Sequence, residues 1–282
     1  MISIKYEGNN NTIDLIGTPN LVMTGYEGLD QPISETITLS NPNLRGTQYQ
    51  RSQISDRLIS FTFNVFDVEN VRHKLMRVFK SGEKGTLIVK NDYNNKEGKI
   101  ECVFEEMTFQ KWVLPTTCTI FLRATDPYFK GMKEIVTELD NSLELFELEA
   151  YIPEEGIVLG ELSEEHSMEL VNESDVDVGV RIEFIAHGSV TNPIVYNETT
   201  NQFIGLNSTM NAGEKLVITT GIGNKKVLIE RGGISTNNIN KLIRGSSFFQ
   251  LKRGTNKLRC EAASGANDMI VYVSYVNEYE AV

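Results

Sequence analysis

Cysteine, histidine and tryptophan are all scarce in this chain: three, three and one among 282 residues. Cys102, Cys118 and Cys260 are odd in number and far apart, and each lies in a strand-like stretch with polar neighbours. They read as reduced and buried, not as a disulfide framework. CxxC pairs and Cys/His clusters are missing, and His73, His166 and His187 are scattered, so no zinc site is expected. No run of about 18 apolar residues is present that would span a membrane as a helix, and Met1-Ile2-Ser3-Ile4-Lys5 lacks the apolar core of a secretion signal. The expected product starts in a cytoplasm and inserts into no membrane.

Catalytic signatures are missing too. There is no GxSxG elbow, HExxH helix or Cys/His pairing. Gly221-Ile222-Gly223-Asn224-Lys225-Lys226 has two glycines but lacks the spacing of a phosphate-binding loop and precedes no helical pattern. Asp92 and Asn94 hint at a calcium loop, yet Lys96 stands where an oxygen ligand is required. Glu105 and Glu106 have neither a cleft nor a partner for acid/base work. The expectation is a protein that is not an enzyme and holds no cofactor or metal.

What is present is charge, unevenly spread. Residues 1–130 hold 15 basic and 15 acidic side chains. Residues 131–183 hold 16 acidic side chains against Lys133 and Arg181, whereas 184–282 hold 10 basic and 7 acidic ones. The net charge of −11 therefore belongs to the middle of the chain. Nucleic-acid binding through counterion release needs clustered Lys and Arg, so specific nucleic-acid recognition is not expected.

Strand periodicity dominates the hydrophobic pattern. Ile37 and Leu39 alternate with Thr36, Thr38 and Ser40; Ile59, Phe61, Phe63 and Val65 alternate with Ser60, Thr62 and Asn64. The stretch from Asn41 to Asp56 between them is too long and polar for a tight turn and reads as a protruding arm. One amphipathic helix follows at about 68–80, with Val68, Val71, Leu75, Val78 and Phe79 on one side and Arg72, Lys74 and Arg77 on the other. Asp67 is placed to cap it and Gly82 to stop it. Strands at 86–90 and 99–104 form a loose hairpin, and the shifted parity of Met107 and Phe109 implies a bulge near Glu105-Glu106. Cys118, Ile120, Leu122 and Ala124 share one face of a strand that ends at Asp126-Pro127.

After Lys130 the pattern loses definition until about Val178; Leu143, Leu145 and Leu148 fit an extended segment or a short helix equally. Alternation returns at Val180, Ile182, Phe184 and Ala186. Short strands follow near 202–206, 215–220, 226–230, 248–251, 256–262 and 269–276, separated by Gly, Asn and Ser turns. The expected fold class is mainly β, with two β-sandwich domains. The N-terminal one (1–130) carries the single helix, an acidic junction covers 131–177, and the C-terminal one (178–282) is a jelly roll.

Several signatures coincide with a known family. They are Asp126-Pro127-Tyr128-Phe129 closing the first domain, Gly205-Leu206-Asn207 with Met210 to Leu216, Gly223 to Val227, Phe248 to Leu251 ahead of Gly254 to Leu258, and Tyr275-Val276-Asn277-Glu278-Tyr279. Their order resembles the distal tail proteins of long, non-contractile-tailed bacteriophages, and the C-terminal part looks like their galectin-like sandwich. The resemblance implies a structural role in the virion, at the tail tip, after assembly in the bacterial host cytoplasm. It implies a six-subunit ring connecting the tail tube to the adsorption apparatus. The partners implied are other copies of the chain, the tail tube protein, and a tail-associated hub, lysin or receptor-binding protein. The arm is the candidate inter-subunit element, with Leu44, Arg45, Tyr49, Arg51 and Ile54 as its interface residues. The alternative is a carbohydrate-binding sandwich contacting cell-wall glycans, for which Tyr196, Tyr272 and Tyr279 are the candidate platforms, the single tryptophan, Trp112, falling in the first domain.

Overall fold

A computed structural model of the chain describes residues 2–9, 11–41, 45–93, 95–110, 115–139, 142–144, 160–162 and 166–282. Two compact units divide it: Met1–Met132 together with Glu278–Val282, and Lys133–Asn277. The fold is mainly β with a single α-helix among the described residues.

The first unit contains β1 (Ile2–Glu7), β2 (Thr12–Asp14), β3 (Leu21–Glu27), β4 (Ser34–Ser40), β5 (Thr47–Ile54), β6 (Arg57–Val65), α1 (Val68–Val78), β7 (Lys84–Asn91), β8 (Lys96–Phe109), β9 (Thr116–Ala124) and the start of β10 (Phe129–Leu139). Strand β8 organises it. Its first half pairs with β7, which continues through β1 to β2, and its second half pairs with β9, which continues through β6 to β3. The changeover falls at a bulge between Phe104 and Glu106, where the parity change of Met107 and Phe109 places it. The register sets Phe61 opposite Ile120 and Phe63 opposite Cys118. The inward rows of β6 and β9 therefore meet in one core with no solvent exposure.

Helix α1 closes this core with Val71, Leu75 and Val78. The Asp67 side chain accepts from the backbone N–H of Asn70 at 3.3 Å, capping the start. The helix stops at Val78, short of the expected Lys80. Phe79 there turns inward and stacks on Tyr6 with ring centroids 4.4 Å apart, and Gly82 takes the left-handed conformation.

The second unit continues with β11 (Ser142–Glu144), β12 (Gly160–Leu162), β13 (His166–Asn172), β14 (Val178–Gly179), β15 (Arg181–Ala186), β16 (Val190–Thr191), β17 (Ile194–Asn197), β18 (Gln202–Gly205), β19 (Thr209–Met210), β20 (Lys215–Thr219), β21 (Lys226–Arg231), β22 (Ile234–Asn237), β23 (Gln250–Leu251), β24 (Gly254–Glu261) and β25 (Met269–Tyr279). One sheet runs β25-β15-β20-β21-β22 and the other β13-β24-β17-β18. A single hydrophobic cluster draws on both, with Phe184, Ile218 and Val271 from the first and Val195, Leu258 and Cys260 from the second. Gly213 and Gly254 have positive φ in the two turns where tight reversal was expected. Asn256, fully buried, holds the second turn by donating to the carbonyls of Lys252 (2.6 Å) and Gly254 (2.9 Å) and accepting from the Lys252 N–H (2.8 Å).

Three stretches differ from the sequence-based reading. The chain stays extended after Lys130, through β10 to Leu139. His166–Asn172 is a full strand, paired along its length with β24. An apolar Val171 faces outward and a polar Asn172 is buried, which hides the alternation. Glu278–Val282 return to the first unit. Leu143 lies in a strand, while Leu145 and Leu148 fall outside the described residues.

Candidate functional site

The arm expected at Asn41 to Asp56 is a larger object, a β-hairpin in which β4 and β5 pair only with each other among the described residues. Strand β4, with its Ile37 and Leu39, thus belongs to the arm and not to the core sheet. Every residue of β5 is exposed, and in β4 only Ile37 is partly covered. Leu39 is 50% exposed, Tyr49 62% and Ile54 39%. An isolated two-stranded ribbon is marginal in water, because it pays the ordering entropy without a buried face.

The register decides which residues act together. Ile37 faces Arg51 and Thr38 faces Tyr49, so Gln50 is an extra residue in β5. The bulge turns Tyr49 and Ile54 to the face that carries Thr36 and Thr38, and puts Arg51 on the opposite face with Ile37 and Leu39. Arg45 is exposed in the turn, and Leu44 lies outside the described residues. Neighbours in sequence are thus distributed over a mixed aromatic and aliphatic face and a cationic and aliphatic face, and nothing in the local pattern announces the bulge.

At the base of the arm, the Ser55 N–H donates to the Ile33 carbonyl at 3.2 Å. Arg123 of β9 bridges Asp56, just beyond β5, and Glu105 at the β8 bulge. Hydrogen bonds from Arg123 to Glu105 and Asp56 raise its pKa still further above the ordinary arginine value. The Glu105 carboxylate is therefore a partner that ties the arm's root to two strands of the core.

The tyrosines considered as sugar platforms are already engaged. Arg259 lies 4.7 Å from the ring centroid of Tyr196, and Lys96 lies 4.9 Å from that of Tyr279. Burial, and then the charge of Glu138 and a hydrogen bond with it, raise the Tyr272 pKa. Trp112 falls outside the described residues.

Residues 173–279 match the family model described as the siphovirus-type tail component, C-terminal domain. The crystal structure of the Dit protein of phage SPP1, described there as a paradigm of the hub adsorption apparatus in phages infecting Gram-positive bacteria, superposes with a TM-score of 0.68. That match covers 99% of each chain at 14% identity. The second unit thus matches the siphovirus-type tail component domain, and the chain as a whole shares the Dit fold. A chain of the phage p2 baseplate in its activated conformation with strontium also matches, with a TM-score of 0.51, 9% identity and full coverage of both chains. No curated protein sequence matches the chain. The mainly β architecture of the chain is thus that of the SPP1 Dit structure from one end to the other.

Proposed function

We propose that the protein is a phage distal tail protein, a structural subunit that closes into a ring of six copies at the tail tip and joins the tail tube to the host-adsorption apparatus. The observation that carries this reading is the arm. A ribbon exposed on both faces gains a buried face only by lying against another molecule. When that molecule is a second copy, the contact is head-to-tail and repeats until the rotation closes. In this reading Tyr49 and Ile54 pack on the neighbour, Arg45 and Arg51 pair with its carboxylates, and Arg123 holds the arm's root in place. The domain division is read the same way: the first unit builds the ring, residues 131–177 connect, and the second sandwich is the platform for the hub or receptor-binding partner. Assembly takes place in the bacterial cytoplasm, and the tail tube protein is the partner on the other side of the ring.

The test is the native mass of the full chain, by mass photometry, beside a variant in which Thr47–Gln53 is replaced by a short Gly-Ser turn. A six-copy mass that collapses to monomer in the variant supports the reading. Rings of unchanged mass without the arm tip sink it.

A further inference from the structure

Within the second unit, a cavity of about 300 Å³ lies between the start of β18, the β20–β21 turn, β23 and the residues just before β14. Backbone packing shapes it. A side chain at Gly179 would run into the backbone of Gly221, so glycine here lets β14 and the turn approach closely. Thr220 is tied to Val180: its N–H donates to the Val180 carbonyl and its hydroxyl accepts from the Val180 N–H, each at 2.9 Å. Further along the turn, the Asn224 N–H donates to the Gly221 carbonyl at 3.0 Å, and the Thr219 hydroxyl donates to the Asn224 carbonyl at 2.5 Å. These bonds fix where Lys225 emerges.

The lining holds more hydrogen-bonding groups than the protein itself uses. The side-chain amides of Gln202 and Gln250 have no partner among the described residues. Lys252 donates to Asp177 Oδ2 at 2.5 Å, which leaves capacity on both groups. The Lys225 ammonium lies 5.5 Å from the centroid of the half-buried Phe248 ring and meets no carboxylate among the described residues. Lys252 and Asp177 cancel, so one positive charge is left over in the cavity. Each carboxamide both donates and accepts, as does every hydroxyl of a polyol, whereas a simple anion or an apolar ligand would leave the amides unused. Phe248 is a wall for C–H groups, and Ile222 stands at the rim, 86% exposed. The volume is at the small end of ligand cavities, which run from about 300 to 1,000 Å³, and suits a single ring. We propose that this cavity binds a uronate, a sugar ring carrying one carboxylate. The carboxylate pairs with Lys225, and the hydroxyls take Gln202, Gln250 and the Asp177–Lys252 pair. The site involves none of the tyrosine platforms and stands whether or not the ring forms.

The test titrates the full chain with sodium glucuronate, glucose and sodium acetate and reads binding by ligand-observed saturation-transfer NMR. The expected result is saturable glucuronate binding in the millimolar range that weakens as salt rises from about 50 to 500 mM. Glucose and acetate should each bind about tenfold or more weakly, since each lacks one half of the recognised chemistry. Lys225→Met should bring glucuronate down to the level of glucose, and Gln202→Leu combined with Gln250→Leu should bring it down to that of acetate. Lys225 and Gln202 are exposed, so the melting temperature of Lys225→Met should stay at the wild-type value, and this variant decides the matter should the double variant melt early. No saturable glucuronate binding at about 20 mM overturns the proposal. Acetate binding as tightly as glucuronate overturns the recognition of hydroxyls, and glucose binding as tightly overturns the part given to Lys225. Glucuronate binding that survives Lys225→Met and the double variant alike overturns the assignment to this cavity.

Discussion

The guanidinium of Arg57 donates through Nη2 to the carbonyl oxygen of Glu280, 2.7 Å away and 223 residues along the chain. Nε donates to Pro127 O at 2.7 Å, and Nη1 to Gly28 O at 2.8 Å and Asp30 O at 2.6 Å. The group lies 4.9 Å from the centroid of the Phe129 ring, and only 4% of the residue is exposed. Burial lowers its pKa, although the carboxylates of Asp30 and Glu280 oppose the shift. One side chain therefore joins the end of β3, the turn after β9 and the C-terminus within the first unit. Arg57→Met leaves four carbonyls without their donor and should cost on the order of 3–5 kcal/mol, read from urea unfolding midpoints. A loss within about 0.5 kcal/mol contradicts this account.

Removal of Glu278–Val282 should weaken the first unit selectively. Tyr279 and Val282 pack on its core, Gln31 donates to the Glu280 carboxylate at 3.2 Å, and Lys96 covers the Tyr279 ring. Calorimetry should show the first unit's transition moving down, by about 2 kcal/mol or more from the lost apolar burial alone. The second unit's transition should stay in place.

The arm should matter for assembly and not for the stability of the subunit. Tyr49→Ala combined with Ile54→Ala removes side chains that touch little, so the unfolding free energy should change by less than about 0.5 kcal/mol. The same protein should lose its ring in mass photometry. A large stability loss would show that these side chains belong to a core.

Acid should loosen the second sandwich at Glu183. Burial on its own would raise this carboxyl's pKa, but hydrogen bonds from Lys215 (2.6 Å) and Arg181 (2.7 Å) override it and hold the group below the ordinary value. A depressed folded-state pKa means stabilisation that is complete above the unfolded-state value, near 4.5, and is lost as pH falls through the folded value. The difference in melting temperature between wild type and Glu183→Gln should be largest at neutral pH and vanish towards the acid end. A difference that stays constant with pH would mean that packing and not charge separates the two.

Burial pushes the thiols of Cys102, Cys118 and Cys260 up to about 12. At pH 8 the native protein should therefore react with a thiol reagent at none of the three positions, and in guanidinium at all three. Fast native labelling would place at least one of them at the surface.

The alternation of Ile59, Phe61, Phe63 and Val65, the spacing of Val71, Leu75 and Val78, and the parity change before Met107 were legible because each is a local period. A core strand, a helix face and a bulge follow from such periods directly. Turn chemistry was legible for the same reason, as at Gly213 and Gly254, whose positive φ is a property of the residue itself. The identical alternation of Ile37 and Leu39 marked a strand correctly but not its surroundings. A period reports which side chains share a face, and only the packed structure shows that this face is bare. Tyr49 and Arg51 share a parity in the sequence and are separated by a bulge whose cause lies in pairing with another strand. Arg57 gave no local signal at all, since its four acceptors are set by chain closure over tens to hundreds of residues. Sequence alone determined the elements, their inward rows and their turns, because these depend on neighbours a few bonds away. Tertiary structure decided which strands are solvated, which charge is buried and where the C-terminus returns, because those depend on what the rest of the chain places opposite.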